Sequence, residues 1–129
     1  MRYTTLIPLL ILAIISTVAG GVAHAEEAEA GHGDHHDQMT VSGESLDMAC
    51  YVAHEAKGPD HAGCAKRCVK GGQPMGLLTD DGTVYLLYAS HDDGSAFEQT
   101  KDFAGQKVEL KGVMATQAGI KGLEVHGVK

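Results

Sequence analysis

The side chains best suited to chemistry in this chain lie within residues 50–76, CYVAHEAKGPDHAGCAKRCVKGGQPMG. Cys50, Cys64 and Cys68 are the only cysteines of the chain, and His54 and His61 stand between the first two. Thiolate sulfur and imidazole nitrogen are the donors from which proteins build zinc and copper sites. Zinc takes four of them in a closed tetrahedron, whereas Cu(I) accepts fewer thiolates. Three cysteines with His54 or His61 would complete a closed shell. There is no Cys-x-x-Cys pair of the kind found in familiar zinc fingers, so the pattern points to a transition metal, zinc or copper, without choosing between them.

Two other uses of the same cysteines compete with metal. Exported proteins generally oxidise their thiols, and an odd count then leaves one cysteine over. A bridge from Cys50 to Cys64 or Cys68 would staple the segment and make the domain an interaction module without metal. Cys64 and Cys68 suit each other poorly as partners while both are helical, because their side chains stack one turn apart. A thiol–disulfide redox protein is the third reading, disfavoured by the missing Cys-x-x-Cys. Covalent haem in its usual form is disfavoured by the absence of Cys-x-x-Cys-His, since Val69 follows Cys68.

A short helix must position these residues. Pro59 suits a first helical position after Gly58, and Gly71-Gly72 supply the stop. On that helix His61, Cys64 and Cys68 fall at roughly 0°, 300° and 340°, at about 100° per residue. They share one face with Ala65, while Lys66, Arg67 and Lys70 project from the other side. Lys66 and Arg67 are expected to lower the pKa of nearby thiols.

The remainder reads as strands. Residues 39–48 form a first strand with a bend or bulge at Gly43. Residues 75–79 and 83–89 are joined by an Asp81-Gly82 hairpin turn, and the apolar residues on both faces of the second make it central. Residues 90–95 form a loop in which His91, Asp92 and Asp93 cap the next helix, at 96–104, which presents Phe97, Thr100, Phe103 and Ala104 and closes at Gly105. Strands at 107–114 and 120–128 follow, with His126 as a surface histidine. The fold class is therefore mainly β: a five-stranded OB-like barrel with a Cys/His-bearing helical insertion after strand 1 and a short helix between strands 3 and 4.

The runs at residues 41–51, 61–68 and 72–78 carry a resemblance. With its Cys-Tyr-x-x-His and His-x-x-Cys-x-x-x-Cys elements, the chain resembles small exported bacterial OB-like domains with such a Cys/His insertion. The resemblance implies the fold and the place of the site, and attaches no activity.

Residues 1–25 have the form of a cleavable signal peptide: Arg2, an apolar run over 6–19, and Ala23-His24-Ala25 before a cut after Ala25. The run is short for a span of ~20 residues, so no stable membrane span is expected after cleavage. Periplasmic or secreted localisation follows. Residues 26–38 are expected to be a disordered acidic tail in which His32, His35 and His36 form a weak metal-capture cluster, and 39–129 to be a single OB-like domain. Loss of Arg2 would leave nine of the ten basic residues against seventeen acidic ones. That balance argues against nucleic acid, and the absence of Trp leaves little to stack bases on. The expected partners are a metal ion and an exported protein. No hydrolase signature is present, and nothing in the sequence singles out an enzyme.

Overall fold

The computed structural model describes residues 37–129. The predicted leader, its predicted cleavage site and the tail histidines His32, His35 and His36 lie outside them. Five strands, β1 (Met39–Asp47), β2 (Met75–Leu78), β3 (Val84–Ala89), β4 (Lys107–Gln117) and β5 (Ile120–Val128), close into a barrel in the order β1-β2-β3-β5-β4. β4 returns to β1, pairing Val41 with Leu110. β3 and β5 run parallel, with Leu87 opposite Leu123, and the other pairs are antiparallel. This is the expected OB-like arrangement, with the helical insertion after the first strand and a short helix between the third and fourth.

The two-residue period of the strands builds the core. β4 turns Val108 and Leu110 inward and Lys107, Glu109 and Lys111 outward. Leu77, Leu87, Leu123 and Val125 meet them in the barrel interior. Each such side chain withdrawn from water contributes about 1.5–3 kcal/mol, which is what holds so small a barrel together. Closure also needs a sharp bend in β4. The pairing with β5 shifts at Lys111/Gly112, and a Cβ on Gly112 would lie 1.9 Å from the Glu124 carbonyl oxygen, so only glycine lets the strands approach there.

The insertion has more helix than the sequence suggests. Met48–His54 forms α1, a helix not expected from apolar periodicity, because its order comes from its ends. The Asp47 carboxylate accepts from the Ala49 and Cys50 N–H groups at the start. Glu55 closes it in the left-handed conformation (φ 54°), donating its N–H to the Tyr51 carbonyl. Pro59–His61 is a 3-10 turn rather than α-helix, and it leads into α2 (Ala62–Lys70). Ala65 and Val69 of α2 are buried in the core, so the thiols flank the core-facing stripe instead of forming it. The second predicted helix is shorter than expected: α3 spans Ser95–Thr100 and tightens into a 3-10 turn at Lys101–Phe103. Thr100 and Ala104 point inward, but Phe103 is exposed. No helix among the described residues is long and apolar enough to cross a membrane.

Candidate metal centre

The site is built where β1 ends. Ser45, Leu46 and Asp47 are all buried, and two links pin this end of the strand: Gly105 N–H donates to the Ser45 carbonyl at 2.6 Å, and Ser45 N–H to the Gln106 carbonyl at 2.9 Å. Asp47 then caps α1, which fixes Cys50 in the first helical turn. The chain returns through residues 55–58, where Gly58 N–H donates to the Glu44 carboxylate. The turn Pro59–His61 delivers His61, and α2 delivers Cys64 and Cys68 one turn apart. Apolar docking of Ala65 and Val69 sets how α2 faces Cys50.

Two groups of donor atoms result. The sulfurs of Cys50, Cys64 and Cys68 all lie within 4.8 Å of one another. A carboxylate oxygen of Asp47, the Cys50 sulfur and a ring nitrogen of His61 also lie within 4.8 Å of one another. Cys50 belongs to both. His54, at the last position of α1, is exposed and belongs to neither. Four of the five residues singled out in the insertion thus come together. The fifth does not, because α1 runs only seven residues and ends with His54 in solvent.

Asp47 is the residue that sequence reasoning missed. It is 1 % exposed, yet its Oδ2 has no hydrogen-bond partner. Three buried side-chain atoms among the described residues are in this condition, Ser45 Oγ, Asp47 Oδ2 and His61 Nε2, and two of the three are on residues of the donor groups. A buried polar atom left unpaired costs about 1–3 kcal/mol. A cation at the centre would offset that cost for both. A signal for Asp47 was present: an acidic residue directly before Met-Ala-Cys can cap a helix start.

Electrostatics at the centre run opposite to the expectation for Lys66 and Arg67. Proximity of the Asp47 carboxylate, then burial, then the charges of Asp47 and the neighbouring thiols push the Cys50 thiol up to about 12. Burial and then proximity to Asp47 and Cys64 raise Cys68 as well. Burial pushes Asp47 up, but the Cys50 thiol, the Ala49 N–H, the Cys68 thiol and the Cys50 N–H together outweigh it and hold the carboxyl below 3.8. The buried carboxylate thus prevails over basic side chains that point away, Arg67 being exposed. A metal bound here would displace thiol protons, and its binding would be favoured by rising pH.

Among the described residues, His126 and Asp93 make local contacts away from the centre. His126 is exposed, its Nδ1 paired with the Gln38 amide at 2.9 Å and its Nε2 with Glu124 at 3.0 Å. Asp93 accepts from the Ser95 N–H at 2.8 Å where α3 begins, and His91 is exposed. Comparison of the chain with protein-family models, with curated proteins and with solved structures returns no match.

Proposed function

We propose that this chain is an exported metal-binding protein that holds zinc or copper at the Cys/His centre and serves in metal handling or electron transfer. One observation carries the reading: three thiols from two separate helices converge within 4.8 Å, and Asp47 and His61, which approach Cys50, each have a buried polar atom without a partner. Cys50, Cys64 and Cys68 supply soft sulfur, and His61 supplies a nitrogen beside Cys50. The signal-like leader and the resemblance to exported OB-like domains support periplasmic or secreted localisation, with the tail histidines as a capture arm. The acidic balance supports a metal ion and an exported protein as partners, rather than nucleic acid.

The test is native mass spectrometry with elemental analysis on protein purified from periplasm. Zinc or copper bound in whole-number proportion to chains with three reduced thiols is the expected result, and Cys64→Ser should lower it. A metal-free mass two units below the fully reduced value would overturn the reading. That result means a disulfide from Cys50 to one of its two neighbours, and with it the stapled module or the thiol–disulfide redox protein.

A further inference from the structure

We propose that the centre has two ion positions that share the Cys50 thiolate: a sulfur position formed by Cys50, Cys64 and Cys68, and a mixed position formed by Asp47, Cys50 and His61. This rests on the metal-binding reading and extends it to the number and kind of ions held. Each trio has its donor atoms within 4.8 Å of one another. A thiolate sulfur has lone pairs enough to bridge two cations.

The two positions differ in kind. The first offers three soft sulfurs and suits a thiophilic ion. The second offers one oxygen, one sulfur and one nitrogen, a set that borderline divalent ions such as zinc accept. Its two non-sulfur donors are the residues with buried, unpartnered atoms, Asp47 Oδ2 and His61 Nε2, and Asp47 is 1 % exposed. An ion confined to the sulfur position would leave both atoms without a ligand. Charge argues the same way. Once metal has displaced their protons, the three thiolates and the Asp47 carboxylate would bring four negative charges to one partly buried place. Among the described residues no basic side chain forms an ion pair with Asp47. One divalent ion compensates half of that charge and two compensate all of it, and uncompensated buried charge is strongly unfavourable. With three protein donors at each position, both ions keep an open place, as exchangeable sites do and closed structural sites do not.

The experiment is a zinc titration of the reduced full chain under anaerobic conditions, read by native mass spectrometry. His32, His35 and His36 are replaced by alanine to remove the tail as a binder. The wild-type centre should saturate at two zinc ions. His61→Ala and Asp47→Asn should each saturate at one, and asparagine keeps the helix cap should the histidine variant fold poorly. Cys64→Ser should also lose one ion, and Cys50→Ser should lose more than any other single change. Saturation of the wild type at one ion, weakened rather than removed by His61→Ala, would overturn the two-ion arrangement and leave the metal reading standing. No zinc on three reduced thiols would overturn both.

Discussion

Asp47 joins structure to chemistry through its two oxygens. Oδ1 accepts from Ala49 N–H at 2.9 Å and caps α1, while Oδ2 is buried without a partner. Asp47→Ala should therefore destabilise the reduced metal-free protein by about 1–2 kcal/mol through the lost cap, and Asp47→Asn by distinctly less. Denaturant unfolding of the two variants separates cap from charge. The pH dependence follows from the shifts. The Asp47 carboxyl sits below 3.8 in the folded state, so its stabilising share is present above that value and disappears as pH falls through the lowered one. Cys50 works in the other direction. Its thiol titrates at 9.0 when unperturbed and at about 12 when folded, so between these values the folded chain holds a proton that the unfolded chain has lost. Stability of the metal-free protein should fall as pH climbs through that window, and less steeply in Cys50→Ser. Thermal melts at stepped alkaline pH give both slopes.

Among the elements, the contact that seats α2 is the most exposed to a single change. Gly105 has φ 79°, and a Cβ there would lie 2.5 Å from the Cα of Ala62, the first residue of α2. Gly105→Ala combines an unfavourable backbone conformation with a backbone clash. It should cost more than ~1 kcal/mol and also weaken zinc binding, since α2 carries Cys64 and Cys68. Gly119→Ala, at φ 84° but with open space around it, is the control: stability falls while zinc affinity stays the same. Calorimetric zinc titration of the two variants distinguishes them. The elements were unevenly legible. α2 announced itself through Pro59 and Gly71-Gly72, whereas α1 has no buried residue and thus no apolar stripe to read. α3 ran short of its predicted end because residues 101–103 tighten into a 3-10 turn before Gly105.

For the molecule as a whole, the barrel and the centre draw on different forces. Leu110 is fully buried at the β1–β4–β5 junction, and Leu110→Ala should cost about 2–5 kcal/mol by leaving a cavity. Chelation should cost the fold little. α2 is held by Ala65 and Val69 in the core, unlike a zinc finger whose helix has only its metal for support. Circular dichroism before and after a chelator should show the same helix and strand content; collapse of the helical signal would mean that metal, not packing, orders the insertion.

Sequence alone determined what is local or periodic. Alternation in 107–113 placed an inward face, apolar residues on both faces of 83–89 marked a central strand, Asp81-Gly82 placed a hairpin, and the strand and helix order led to an OB-like barrel. Cys50, His61, Cys64 and Cys68 were legible as donors because few other residue types supply soft ligands. Tertiary structure alone decided which of them meet. His54 has the same chemistry as His61, but α1 leaves it in solvent while the Pro59–His61 turn brings His61 to Cys50. Asp47 could be read as a helix cap at most, because its second role depends on burial. A carboxylate becomes a strong local charge only when water is withdrawn from it, and here that is done by the closure of β1 against the Gly105–Gln106 loop and the docking of α2, contacts made between residues far apart in the chain.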